Sequence, residues 1–320
     1  MIPFLLRRLG ITVVLLFVIS LISFFIVTLA PGSPYPWGDL NPKIDEKVKE
    51  AYRKKFHLDR PLIEQYGFIM GDLFTGKLRS MKDERPVLER IGERLPATLM
   101  LNGASLAFAL SFGLLWGVFS ARRAGSWTDG TSTFLAFLCL SMPEFLLAYA
   151  VVILCVHQFA VPILGLRSYG IEFPNALSAG LDMTWHILVP AIVLAIGSAA
   201  AQSRFVRANV LETLREDYIR TARAKGLAED VVFLKHALRN SVRPLITGIG
   251  GLLPALLGGA VVVESIFAYP GLGRLGYDAV TERDYPTLVA INFIIATLVL
   301  LGNLISDVLY AVVDPRVRLE

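Results

Sequence analysis

Asp217-Tyr218-Ile219-Arg220-Thr221-Ala222-Arg223-Ala224-Lys225-Gly226 is the stretch on which the reading of this chain turns. It lies in a polar segment, 206–243, that carries eight Lys/Arg and five Asp/Glu and is set between apolar runs. Asp217 can cap a helix, because a carboxylate accepts the backbone N–H groups that a first turn leaves without partners. Tyr218 to Lys225 then makes about two turns. Gly226 stops it, since glycine takes the left-handed position after a helix at little cost. Leu227, Val231, Leu234 and Leu238 follow at helical spacing and predict a second, amphipathic helix whose stripe packs on the underside of a membrane domain. Two turns of helix are not stable alone in water. The short helix therefore needs a surface to rest on, and Tyr218, Arg220, Thr221 and Lys225 face outward, available to a partner. The competing reading is a solvated basic loop.

Outward from this segment the chain is apolar. Of its 320 residues 54% are hydrophobic and 18% charged, fewer charges than a soluble domain carries. Mean hydropathy is +0.58. Runs of about 20 apolar residues read as spanning helices, and six are predicted: 9–30, 98–119, 133–156, 185–201, 244–268 and 287–310. The first is longer than a signal-peptide core, and Pro31 follows it directly. Arg7/Arg8, Arg122/Arg123, the segment 206–243 and Arg316/Arg318 fall on one side of these spans. The short loops opposite carry only Arg167, Arg274 and Arg283. The positive-inside rule then puts both termini in the cytoplasm. The net charge of +4 is explained by these flanks and is no nucleic-acid footprint. The expectation is an all-α integral membrane protein. Residues 1–30 form the first span, 31–97 an extracytoplasmic segment, 98–311 the remaining spans with their cytoplasmic loop, and 312–320 a cytoplasmic tail.

Some residues invite functional readings. Gly71-Asp-Leu-Phe-Thr-Gly76-Lys77-Leu78 nearly spells a phosphate-binding loop, but Leu78 stands where a magnesium-holding hydroxyl is needed and no buried strand precedes it. No nucleotide, cofactor or metal site is expected in this chain, nor catalysis. Cys139 and Cys155 share one apolar stretch and read as buried small hydrophobes. His186, beside Trp185, reads as an interfacial polar residue. Gly103, Gly113 and Gly117 let helices approach closely. Glu144 follows Pro143 in the middle of the third span, where a carboxylate is costly unless paired or facing water. It and Gly258-Gly259 of the fifth span are candidates for lining a translocation path; a buried ion pair and plain helix packing are their structural alternatives.

The stretch 216–226 closely resembles the cytoplasmic coupling motif of ABC-importer permeases of the dipeptide/oligopeptide class. Other pieces match in order: Gly71-Asp72-Leu73, Arg94-Leu95-Pro96-Ala97-Thr98-Leu99, His236-Ala237-Leu238-Arg239-Asn240, 258–264, Tyr269-Pro270-Gly271-Leu272-Gly273-Arg274, Arg283-Asp284-Tyr285-Pro286 and Asp314-Pro315-Arg316. The general permease motif has Glu-Ala-Ala where this chain has Arg220-Thr221-Ala222.

The resemblance implies a type I importer fold of six spans in the inner membrane. Its partners are a paralogous second permease, two cytoplasmic ATPases that bind ATP and magnesium, and an extracytoplasmic solute-binding protein. Asp217, Tyr218, Arg220, Thr221, Ala222, Lys225 and Gly226 are the implied ATPase-coupling residues. Family cargoes are dipeptides, longer peptides, glutathione-like peptides, metal chelates and some sugars. A secondary, ion-coupled transporter is the alternative from another class. It would set ionisable groups at mid-membrane, where Glu144 alone clearly qualifies.

Overall fold

An apolar segment in lipid satisfies its backbone by forming an unbroken helix, because no water is present to bond exposed N–H and C=O groups. The computed structural model describes residues 2–32, 35, 45–242, 244, 245 and 260–313. Among these, helices dominate and an isolated bridge between Arg79 and Pro86 is the extent of β pairing. In chain order they are α1 (Ile2–Leu29), α2 (Glu46–Lys55), α3 (Leu62–Thr75), α4 (Val87–Arg122), α5 (Trp127–Ser141), α6 (Glu144–Val152), α7 (Ala176–Thr213) and α8 (Asp217–Ala224). A composite segment, 229–241, and the helices Val261–Ile266, Leu272–Thr281 and Tyr285–Val313 follow. The predicted all-helical class holds.

Among the described residues four helices are apolar and long enough to cross a membrane: α1, α4, α7 and Tyr285–Val313. The third predicted span, 133–156, is broken. α5 ends at Ser141, and α6 with its π-helical continuation Ile153–Gln158 leaves at 95°. Met142-Pro143 is the cause. Proline lacks the N–H that would continue the ladder, and the residue before it is pushed into extended backbone; Met142 has φ −78° and ψ 123°. Counting the bent pair as one span gives five. The predicted fifth span, 244–268, lies largely outside the described residues, and Gly258 and Gly259 lie wholly outside them, as does the tail 314–320.

Two predicted spans prove to be parts of longer helices. α4 has 36 residues and α7 has 38, about 54 and 57 Å at 1.5 Å per residue, against roughly 30 Å of hydrocarbon. Hydropathy marked only their lipid-soluble stretches. α7 begins at Asn175, whose Oδ1 accepts from the Ser178 N–H at 2.8 Å while Ser178 Oγ sits 3.4 Å from the Asn175 N–H. This capping box starts the helix at 176, nine residues ahead of the predicted span 185–201. α4 runs through Pro96, at the loss of one backbone bond.

The described chain falls into two compact units. One comprises Met1–Thr98 and Pro270–Glu320. Its core joins Phe24 of α1, Met70 and Leu73 of α3, Val87 and Ile91 of α4, Leu272 and Leu275, and 289–291. Asp284, 1% exposed, is its polar centre. It caps the helix Tyr285–Val313 by accepting the Thr287 N–H at 3.5 Å, and the Thr287 hydroxyl donates to it at 2.6 Å. It also accepts from Ser80 Oγ at 2.5 Å, Met81 N–H at 2.9 Å and Arg90 Nη1 at 3.0 Å. Thr98 acts likewise: Gly271 has no side chain to cap the helix Leu272–Thr281, and the Leu272 N–H donates to Thr98 Oγ1 at 2.7 Å. The near-P-loop is the end of α3. Gly76 is its left-handed C-cap (φ +72°), and the Lys77 N–H returns to Asp72 O at 2.8 Å.

The other unit comprises Leu99–Leu256 and Val262–Tyr269. Gly113 and Gly117 of α4 lie against α7 so closely that a Cβ at either would fall within 3 Å of Ala199 O or Ser203 O. A Cβ at Gly103 would meet no atom of another element within 4 Å among the described residues. His186 corrects its reading: it is wholly buried rather than interfacial, with Nδ1 2.8 Å from Asp182 O. Cys139 and Cys155 are free thiols, half-buried rather than buried.

Candidate functional site

α7 carries the chain beyond its apolar stretch to Thr213, and a turn at 214–216 starts α8. Eight residues make a helix of about 12 Å. Ile219 and Ala222, one turn apart, are buried against Val232, Ala237 and Leu214. This is the surface that a two-turn helix requires. The opposite face, with Asp217, Arg220, Thr221 and Lys225, is exposed. Arg220 is 73% exposed, against the Asp217 carboxylate at 3.2 Å.

The capping of α8 differs from expectation at one end and matches it at the other. Asp217 is the first helical residue, not the cap. Glu216 holds the cap position without a side-chain bond, and Asp217 turns to Arg220 instead. Its charge still suits the positive end of the helix dipole. At the other end Gly226 has φ +74°. The Gly226 N–H donates to Arg223 O at 2.9 Å and the Leu227 N–H to Ala222 O at 3.4 Å, the paired closure of a Schellman motif. Arg223 Nη2 meets Glu229 Oε1 at 2.5 Å, and this hydrogen bond holds the Glu229 carboxyl below its usual range. Tyr218 is half-committed: Asn240 Nδ2 donates to its hydroxyl at 2.9 Å.

The floor under α8 corrects a second expectation. Leu227, Val231 and Leu234 are exposed, and the buried side chains are Val232, Phe233 and Ala237. Residues Val232–Leu238 wind as a π-helix, so positions five apart stack where four was assumed. The stripe that faces the protein is displaced by one residue.

Further residues complete the region, of which the sequence marked only Arg122, and that for topology. Arg122 at the end of α4 pairs with Asp230. Asp129 on α5 receives Arg207 of α7 in a two-pronged bond, Nε at 2.8 Å and Nη2 at 2.7 Å. Ser126 caps α5 through the Asp129 N–H, which was a local signal for the helix start; nothing local marks Arg207 as the partner. An open cleft of about 520 Å³ lies where α7 passes into α8, lined by Ala208, Leu211, Glu212, Arg215, Glu216 and Asp217. Glu144 is elsewhere, exposed at the first turn of α6 directly after the break.

Residues 113–319 match the family described as binding-protein-dependent transport system inner membrane component. Residues 1–102 match the N-terminal region of such membrane components. The oligopeptide transport system permease protein AppB of Bacillus subtilis (strain 168) is 39% identical over 321 residues, 99% of this chain and 100% of that one. The dipeptide transport system permease protein DppB of Lactococcus lactis subsp. cremoris (strain MG1363) is 35% identical, covering 100% of both chains. The glutathione transport system permease protein GsiC of Escherichia coli (strain K12) is 36% identical, covering 99% of both. A membrane-length helix set and similarity along the full chain place it in one family: the protein belongs to the inner-membrane permeases of binding-protein-dependent ABC importers, in the oligopeptide and dipeptide class.

Proposed function

We propose that this chain is one of two paralogous permeases of an ATP-driven peptide importer and that α8 is the point at which its motor pushes. Two cytoplasmic ATPases bind and hydrolyse ATP with magnesium, and an extracytoplasmic binding protein delivers the solute. The permease itself hydrolyses nothing. Six spans with both termini cytoplasmic put α8 and the Arg122/Arg123 turn on the ATPase side. The relatives named for oligopeptides, dipeptides and glutathione make a short peptide the solute class favoured.

One observation carries this reading. α8 is pinned by its inner face, Ile219 and Ala222, while its charged face projects. A pinned helix transmits displacement; a loop would absorb it. ATP can bias two states of the permease only through a contact that differs between them. Closure of the ATPases displaces α8, α7 follows as its rigid extension, and the spans shift toward the outward-open state. Glu144, at the start of α6, and Gly258-Gly259 are proposed to line the path.

The test reverses charge with Arg220→Glu and Lys225→Glu together. In proteoliposomes holding all five components, ATP hydrolysis should continue while uptake falls roughly tenfold or more. Uptake at the wild-type rate would remove α8 from the coupling role.

A further inference from the structure

We propose that Asp129 and Arg207 are positioning residues that make α5 move as one body with α7, so that a displacement arriving at α8 is delivered to the break at Met142-Pro143. This rests on the reading of α8 as the coupling helix. It adds where the motion goes.

The Asp129 carboxylate is almost wholly buried and its acceptor sites are filled. Oδ1 takes Arg207 Nε at 2.8 Å and Ser120 Oγ at 2.6 Å, and Oδ2 takes Arg207 Nη2 at 2.7 Å and the Gly125 N–H at 3.0 Å. One side chain thus ties α4, the turn after it, α5 and α7. A two-pronged guanidinium–carboxylate pair fixes orientation as well as distance. A buried pair is weak as a source of stability, because apolar replacements of similar volume often do as well, and its best-attested use is register.

The register continues along α5. Arg204 Nη1 donates to Thr133 Oγ1 at 3.1 Å, and its guanidinium lies 4.8 Å from the Phe137 ring centre. On the α4 side, Trp116 Nε1 donates to Ser132 Oγ at 2.6 Å. Asp129, Thr133 and Phe137 follow at intervals of four and share one face. That face is latched from the first turn of α5 to within about one turn of its end at Ser141. Six residues beyond Arg207, about 9 Å along the axis, α7 ends and gives way to α8. The Arg122–Asp230 pair ties the end of α4 to the segment that floors α8. The displaced body is therefore α8, α7 and α5 together with the end of α4 that Trp116, Ser120 and Arg122 latch to them. Its first interruption is Met142-Pro143, from which α6 and Glu144 depart at 95°. A break with no N–H at Pro143 is a natural hinge.

The test is Asp129→Asn in the five-component importer. The amide keeps the shape and sets an NH₂ against the donors of Arg207, Ser120 or Gly125. ATP hydrolysed per solute imported should rise roughly fivefold or more. Spin labels on α5 and α7 should show a distance that is constant through the ATP cycle in the wild type and varies in the variant, a readout that a merely structural pair would not move. If Asp129→Asn does not accumulate, Arg207→Lys decides: it keeps the charge, loses the second prong and should raise the ratio by a smaller factor. A wild-type ratio together with a constant distance in the variant that folds overturns the proposal. If Arg220→Glu/Lys225→Glu still uncouples in that case, the coupling role of α8 stands; if it too leaves the ratio unchanged, both fall.

Discussion

Gly117→Ala tests the close approach of α4 to α7. The new Cβ would sit 2.6 Å from Ser203 O and 2.7 Å from Val206 Cβ. Ordinary contact begins near 3.4 Å, so α4 and α7 must part or bend by about 0.8 Å. Neither obstructing atom is the tip of a flexible side chain, so the strain falls on the helices themselves. Overpacking of this kind costs roughly 1–3 kcal/mol. The better helix propensity of alanine offsets about 0.5–1 kcal/mol of it. A net loss of about 1 kcal/mol follows at mid-range and of about 2.5 kcal/mol at most, or a roughly five- to tenfold mid-range change in the folded-to-unfolded ratio. Gly103→Ala, on the same helix where a Cβ meets nothing within 4 Å among the described residues, is the control and should be neutral or slightly stabilising. The assay is denaturant unfolding of the purified chain in detergent, both variants beside the wild type. Equal midpoints for the two alanines would refute the argument, because only the close approach distinguishes the sites.

Asp284→Ala should destabilise its unit by about 3 kcal/mol or more, since it removes the nearer of two carboxylates from Arg90, leaving Asp83 at 3.6 Å, and takes the acceptor from the buried Ser80 and Thr287 hydroxyls and the Met81 N–H; protease cleavage within 45–86 should accelerate at least tenfold, and a wild-type rate would contradict it. A pH effect should appear at Asp83. Burial pushes its carboxyl up, but the Arg85 N–H at 3.2 Å, Ser80, and the charges of Arg90 and Arg85 outweigh this and hold it below its ordinary 3.8. A carboxyl depressed on folding contributes stability that is full above its unfolded pKa and is lost as pH falls through the folded one. The turn 80–85 should therefore exchange its amide hydrogens with full protection above about pH 5 and lose protection below about pH 4. Asp83→Asn should flatten that dependence.

The parts that were legible in the sequence are those governed by near neighbours. Gly226 needed only its own backbone to mark the end of α8. Ile219 and Ala222 sit one turn apart whatever lies beneath them. Where the reading slipped, a rule of local spacing met a change in winding or a cap. Leu227, Val231 and Leu234 were assigned inward on a repeat near four, but the π-helix Val232–Leu238 moved the buried face to Val232 and Ala237. Asp217 was assigned the cap, and a single position of offset gave that place to Glu216.

The sequence by itself determined that this chain lives in lipid, that it is helical, and that a short charged helix with a glycine stop lies between its spans. Apolar length and helical period are properties of contiguous residues, so they survive without knowledge of the fold. Only the tertiary structure decided that Asp129 belongs with Arg207, 78 residues away, and Asp284 with Ser80, 204 residues away. It also decided that Gly117 and not Gly103 is the tight approach, and that the third span turns through 95° at its proline. The pairings and the tight approach depend on which helix faces lie against each other, and no local window of sequence encodes them; the turn differs, since Pro143 marks its place and the fold sets its angle.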